Sequence, residues 1–428
     1  MRSEHHLVIV RRDAAGGLST LRMGDALPCI ESEEHRSADV AALNHAVRVS
    51  LGLETSVLRC ISDEPGDERR PRRHLYLMEA HGKPGVVPAR ARWVTGADIP
   101  AAGGDNAEWT QPGWRAGVVA WVNEALAHHG AGPVTQIEQV RIWEFSQVLR
   151  LRTAKTTFYF KARPRSGAAE APLTRRLAAS HPQWLPEIVA IDVERRWMLM
   201  REAEGRELTE LADVARWESA AASIARMQLD WLARTGELMA LGCKHRPLAR
   251  LRGELAPLLD DKETLQPPLP EALSDVEVAT LRSHRAELDG LCRELDAFGV
   301  PESLEHGDLW AANVIATERG PVFLDWEDVA IAHPFITPSL LVLSVDEAPA
   351  LTDATAPRRR IRDAYLKVWA EHGPLATWPR ERLERAFDVA KQVAMLHYAV
   401  QFRLDLATVE TSREVRGFAP FFLRRLLG

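Results

Sequence analysis

Apolar and polar positions change rhythm more than once along the chain. "HLVIVRR", "HLYLMEA" and "ARWVTG" in the first hundred residues predict strands, and "ADVAALNHAVRVSLGL" among them has helical spacing. "IPAAGGDNAEWTQPGW" then breaks all periodicity with Gly, Pro and Asn, which predicts a linker. "WRAGVVAWVNEALAHHG" follows as an amphipathic helix closed by Gly130, with Trp121, Val122, Ala125 and Leu126 on its apolar stripe. Strand patterns return in "QVRIWEFSQVLRLRT", "TTFYFKARP" and "WMLMREA", with one helix, "AAEAPLTRRLAAS", between them. Beyond residue 207 the spacing is helical, as in "RWESAAASIARMQLDWLA" and "LERAFDVAKQVAMLHYAVQFRLDL". Within it "NVIATERGPVFLDW" alternates like a hairpin turning through Glu318, Arg319 and Gly320. The pattern divides the chain into residues 1–105, a linker and amphipathic helix over 106–135, a β-rich lobe over 136–206 and a helical lobe over 207–428. A small β-rich lobe before a larger helical one, with polar motifs on a hairpin between helices, predicts a cleft between lobes.

Composition narrows the class. A chain of 428 residues calls for two or three domains. Hydrophobic content of 46% and charged content of 27% fit a soluble globular protein. The net charge of -6 argues against a nucleic-acid partner. The run Arg69-Arg70-Pro71-Arg72-Arg73 follows acidic residues and reads as a solvated loop. Cys29, Cys60, Cys243 and Cys292 are scattered, which predicts free thiols rather than a disulfide frame or a zinc site. No apolar run approaches the length of a signal peptide core or a membrane helix, so the expected location is cytoplasmic.

The chemistry concentrates in "LEHGDLWAANVI" and the hairpin after it. Asp308 and Asn313 bracket a short loop and converge on one point, while Asp325 follows the apolar Val322-Phe323-Leu324, across the hairpin from Asn313. Facing oxygen ligands suit a hard cation such as Mg²⁺, which completes its shell with phosphates and water. Asp308 is then left to accept or orient a hydroxyl proton. Phosphoryl transfer also needs a lysine on the phosphates. Lys161 ends the apolar run Phe158-Tyr159-Phe160, and Glu170, on the following helix, is placed to hold it by an ion pair.

"HGDLWAANV" followed by "FLDWED" resembles the signature of the aminoglycoside phosphotransferase and choline kinase family, over roughly residues 114–428. The resemblance implies an α+β, bilobal protein-kinase-like fold and transfer of the γ-phosphate of ATP or GTP to a hydroxyl of a small molecule. It makes Asp308 the catalytic aspartate, His306 the loop's structural histidine, Asn313 and Asp325 the Mg²⁺ ligands, and Lys161 with Glu170 the ion pair. "WMLMREAEG" is similar to the family's strand and hinge, which puts Met200 and Glu202 at the nucleotide. The turn Trp143-Glu144-Phe145-Ser146-Gln147, where the phosphate-covering loop belongs, has no glycine; Ser146 is its candidate donor. Protein kinases carry arginine where Gly307 stands and an Ala-Pro-Glu triplet absent after Asp325, so a small-molecule acceptor is favoured over a protein one.

Each residue alone has a plainer explanation: Asp308 as a turn cap, Lys161 as a solvated strand end, Asn313 as a partner for loop backbone, Glu170 as a first-turn charge on its helix dipole. The agreement of independent spacings argues against coincidence. Glu327 and Asp328 fit a site for a cationic substrate or an exposed acidic turn. Trp217, Met227 and Trp231 read as core. The first hundred residues resemble a Nudix domain in strand–helix order. His45-Ala46 and Val49-Ser50 stand where that family's metal-binding helix carries carboxylate pairs, so the segment, as a small α/β domain, is expected to dock or bind rather than hydrolyse. The competing function is a nucleotide-binding pseudokinase or binding module without turnover, favoured by the glycine-free turn. Oligomeric state is left open.

Overall fold

The protein is described by a computed structural model over residues 2–12, 16–33, 40–64, 66, 70–82, 88–95, 107–143, 145–164, 170–349, 351, 354–406 and 413–427. The first half of the expected linker, Glu144 and the start of the basic run lie outside the described residues. The fold is α+β and comprises two compact units: a β-sheet unit of Met1–Arg165 with Val189–Glu202, and a helical unit of Ser166–Ile188 with Ala203–Gly428. Among the described residues no helix is long and apolar enough to cross a membrane.

The β-sheet unit opens with strands β1 (Arg2–Arg12), β2 (Leu18–Met23) and β3 (Cys29–Glu33), then helix α1 (Ala41–Leu51) and strands β4 (Glu54–Glu64), β5 (Arg72–His81) and β6 (Ala91–Thr95). These strands form one sheet in the order β4-β5-β1-β2-β6, with β3 also on β1. The length of β1 lets its first half pair with β3 and its last residues with β2, both antiparallel, while β5 runs parallel along it. Helix α1 buries Leu43, Val47 and Leu51, one residue per turn, and ends at Gly52, whose φ of 64° a glycine tolerates without a Cβ clash.

Helix α2 (Trp114–His128) leads into β7 (Gln136–Ile142), β8 (Gln147–Arg152) and β9 (Thr157–Ala162); after helix α3 (Glu170–Ser180) come β10 (Ile188–Asp192) and β11 (Trp197–Arg201). The second sheet has the order β10-β11-β9-β8-β7. One apolar core serves both sheets. It joins Leu7, Ile9 and Met78 of the first sheet, Val118, Val122 and Leu126 of α2, and Leu149, Leu151, Phe158 and Phe160 of the second. Trp109 is 3% exposed in that core, and Trp114 packs edge-on to Trp197. The end of the expected linker is therefore core, and its two tryptophans were the signal.

Strands β4 and β7 are both sheet edges, and a side chain joins them. The Gln139 amide donates to the Val57 carbonyl at 2.7 Å and accepts the Val57 N–H at 2.7 Å, beside a break in the β4–β5 register. Asn44 of α1 donates to the same Gln139 oxygen and accepts from Thr55.

The helical unit adds β12 (Arg206–Glu207), α4 (Val214–Trp231), α5 (Thr235–Ala240), β13 (Lys244–His245), α6 (Leu248–Asp260), α7 (Lys262–Leu265), α8 (Asp275–Ser283) and α9 (Arg285–Ala297). Strands β14 (Ser303–Glu305), β15 (Val314–Thr317), β16 (Gly320–Phe323) and β17 (Ala330–Ala332) follow, then α10 (Pro338–Leu343), α11 (Thr355–Glu371) and α12 (Arg380–Leu406). Trp217, Met227 and Trp231 of α4 are fully buried, as core, in line with their helical spacing. Buried Gln228, on the same helix, spends its amide on the carbonyls of Leu304 and Pro334 and accepts from the Tyr365 hydroxyl, so β14 and α11 are fixed to α4 by a satisfied polar hub. Helix α3 belongs to this unit: Arg176 pairs with Glu237, and the Trp184 carbonyl accepts from Phe323 N–H at 2.8 Å.

Gln139→Ala leaves the buried N–H and C=O of Val57 without partners, at about 1–3 kcal/mol for each group. A urea titration of the β-sheet transition should show a loss of about 2–4 kcal/mol, and Gln139→Glu, which keeps one acceptor, should lose less.

Candidate active site

The hairpin forms as its alternation predicts. Val314 pairs with Phe323 and Thr317 with Gly320, and Leu324 N–H reaches the Asn313 carbonyl at 2.8 Å. This pairing carries the Asp308–Asn313 loop to the start of the 325–328 turn. Gly205 makes the neighbouring contact possible, since a Cβ there would stand 2.4 Å from the Ala316 carbonyl oxygen.

The turn at His306-Gly307-Asp308 is built around one close approach. Gly307 has φ of 84°, and a Cβ on it would lie 2.4 Å from the Asp328 carbonyl oxygen and 2.5 Å from the Asp328 Cβ. Only glycine meets both demands, conformation and space. His306 is fully buried and tilts over Trp326 with ring centroids 4.3 Å apart. Its Nε2 lies 3.0 Å from the Leu324 carbonyl and its Nδ1 receives the Asp308 N–H at 3.3 Å. This network assigns the neutral tautomer with the proton on Nε2. Burial agrees, pushing the imidazole down to about 4. His306 thus ties the loop to the strand end and holds no proton for transfer.

Asn313 gives its Nδ2 hydrogens to the Asp308 carbonyl and to Asp308 Oδ2, both at 2.9 Å. Among the described residues, neither Asp308 Oδ1 nor Asn313 Oδ1 has a hydrogen-bond partner. The Asp308 carboxyl is driven well above the usual carboxylate range, first by removal from water and then by the charges of Asp325, Asp328 and Glu327, with the Asn313 bond pulling the other way.

Asp325 has φ of 62°, a left-handed conformation rare for a non-glycine residue. Its carboxylate, that of Glu327 and that of Glu170 place ligand oxygens within 4.8 Å of one another. Glu170 and Glu327 are buried at 4% and 8% exposure. Three hard oxygen donors in that space fit a divalent cation such as Mg²⁺, with the free Asn313 oxygen a further candidate. Glu327 is therefore not an exposed acidic turn. Asp328 Oδ1 is already engaged: Lys244 Nζ donates to it at 3.3 Å, and Arg246 lies 3.8 Å from it. Lys244 and Arg246 carried no sequence signal, because the contact spans more than eighty residues.

Lys161 falls in the β-sheet unit and Glu170 in the helical unit. Lys161 sits on β9 between Val148 and Met198 at 6% exposure, and a buried ammonium requires an anionic partner. Ser146 is 3% exposed; its Oγ accepts the Trp143 indole N–H at 3.0 Å, and its carbonyl accepts Trp143 N–H. Met200 pairs with Tyr159. Glu202 uses its N–H on the Thr157 carbonyl, and its Oε1 accepts from Arg150 at 2.6 and 3.0 Å.

The helical unit thus presents an oriented aspartate beside a cation-sized set of carboxylates, on a kinase-like fold. An ethanolamine kinase from Plasmodium vivax shares that fold, with TM-score 0.50, 12% identity and coverage of 73% of this chain and 89% of that one. A choline/ethanolamine kinase family protein from Mesorhizobium loti (16% identity, 72% and 93% coverage, TM-score 0.49) and a choline kinase from Streptococcus pneumoniae (12%, 73% and 98%, 0.49) are also similar. No curated protein matches the sequence. Residues 136–383, more than half of the chain, match the model of the phosphotransferase enzyme family, and the chain belongs to that family.

Gly307→Ala should separate folding from turn geometry. The strained φ and the Asp328 contact force the turn apart, and a displacement of about 1 Å at a reacting group costs on the order of 10² in rate. Far-ultraviolet circular dichroism should stay native while phosphotransfer falls by at least that factor.

Proposed function

We propose that the protein transfers the γ-phosphoryl group of ATP to a hydroxyl of a small molecule. The observation that carries this reading is the Asp308 carboxylate, fixed at Oδ2 by Asn313 and free at Oδ1, next to the carboxylates of Asp325, Glu327 and Glu170. In the proposed step the acceptor hydroxyl gives its proton to Asp308 Oδ1. Its oxygen bonds to the γ-phosphorus, and the bond from that phosphorus to the bridging oxygen breaks, releasing ADP. Mg²⁺, when bound, neutralises phosphate charge, and Asp325 with Asn313 or Glu327 would hold it. Lys161 is the proposed phosphate contact of the β-sheet unit. Gly307, in place of a protein-kinase arginine, supports a small acceptor. Choline-like amines, aminoglycosides, sugars and amino-acid alcohols form the panel to test.

A second reading, nucleotide binding without turnover, draws on the glycine-free 143–147 turn and on Ser146, which is buried and already engaged by Trp143. ADP release from Mg·ATP, and separately from Mg·GTP, across that panel decides between them; ADP release with none of them would favour the second reading.

Asp308→Asn keeps the Asn313 contact through its amide oxygen and loses the base. Turnover should fall by about 10²–10⁴ while calorimetry shows nucleotide binding little changed. Asp325→Asn should instead weaken the dependence of nucleotide affinity on Mg²⁺; an unaltered dependence would remove Asp325 from the metal set.

A further inference from the structure

Three residues before Asp308, a second carboxylate lies wholly inside the protein. Glu305 ends β14 at 0% exposure. Its Oε1 accepts the Gly307 N–H at 2.8 Å. Its Oε2 faces His397 Nε2 of α12 across 3.7 Å, an ion-pair distance too long for a hydrogen bond, and His397 is itself 3% exposed. Arg246 donates to Gln401 at 2.6 Å and to the Asp328 carbonyl at 3.3 Å. His397 and Gln401 stand one turn apart, so one face of α12 backs the whole turn from Glu305 to Asp328.

Burial alone would raise the Glu305 carboxyl. The His397 imidazole, the Arg246 charge and the Gly307 N–H outweigh it and hold the group below the usual range. An ionised group in such a place is poor packing, since apolar residues of similar volume often replace buried ion pairs without loss. What a leucine or methionine cannot do is accept the N–H of Gly307, the residue whose backbone sets the direction of Asp308. Asn313 fixes the far end of the Asp308 side chain, and Glu305 fixes the near end of its backbone.

We propose that Glu305 is a positioning residue for the transfer step, its carboxylate, backed by His397, holding the Gly307 peptide so that Asp308 points at the acceptor. This rests on the reading of Asp308 as the group that meets the acceptor. His397→Leu removes the imidazole and leaves the buried carboxylate with only the Arg246 charge and the Gly307 N–H, which loosens its hold on the Gly307 peptide. Glu305→Gln keeps an oxygen for the Gly307 N–H and has no charge to be backed.

The test measures ADP release from Mg·ATP together with amide hydrogen exchange over residues 304–310. His397→Leu should lower kcat about tenfold at unchanged KM for ATP and speed exchange, and Glu305→Gln alone should lower kcat about threefold. The double variant should return to the level of Glu305→Gln in both measurements, because a neutral amide does not need the imidazole. Losses that add in the double variant, or a raised KM at unchanged kcat, overturn the proposal. Exchange needs no turnover, so a wild-type chain that releases no ADP would defeat the phosphotransfer reading while the exchange pattern still decides the role of Glu305.

Discussion

The active-site region of the helical unit depends on a backbone contact that leaves no room for a side chain. Where Gly307 meets Asp328, the strand end at 305 and the turn at 325–328 touch main chain to main chain. That contact makes Asp325, Glu327 and Asp328 neighbours of Asp308, and so produces the crowd of negative charge around it. Like charges so close repel, and the fold answers them in two ways. Asp328 is paired with Lys244 and Arg246, and Asp325, Glu327 and Glu170 bring ligand oxygens together in a set suited to a divalent ion.

The sequence revealed the parts of this region that are local in the chain. Asp308 with Asn313, and the hairpin that brings Asp325 to them, sit within twenty residues, and their spacing fixes their geometry. The strand and helix periods of the β-sheet unit were legible for the same reason. The family match adds phosphotransferase class and fold but does not bear on the Nudix resemblance of the first hundred residues. Long-range partners carried no periodic signature. Glu305 reads as one more residue of an apolar strand until His397 is found beside it. Ser146 reads as a loop donor until the Trp143 indole is found on its oxygen. Trp109 reads as linker because glycine and proline surround it, yet an indole that large is seldom left in water when a core is near.

Helix α3 illustrates how a local reading can be right about a residue and silent about its company. Glu170 stands out as an acidic residue at a helix start, which fits both an ion pair and a helix-dipole role. Its helix is secured to the helical unit by the Arg176–Glu237 pair, by Arg234 on the same carboxylate and by the Trp184 carbonyl on the hairpin. Glu170 therefore keeps its place with Asp325 and Glu327 as one rigid set, and the contacts responsible lie sixty residues or more away in sequence.

The Gln139 amide has a meaning beyond the bond energy it supplies. Strands β4 and β7 each end a sheet, and an open strand edge is a template on which a second chain can add its own backbone. At Val57 the place of such an intruding strand is already occupied by a side chain that imitates a peptide, offering one donor and one acceptor at peptide spacing. A folding intermediate in which β7 has not yet arrived would expose that edge. The risk of aggregation during synthesis is therefore concentrated in the interval before residue 139 emerges and docks.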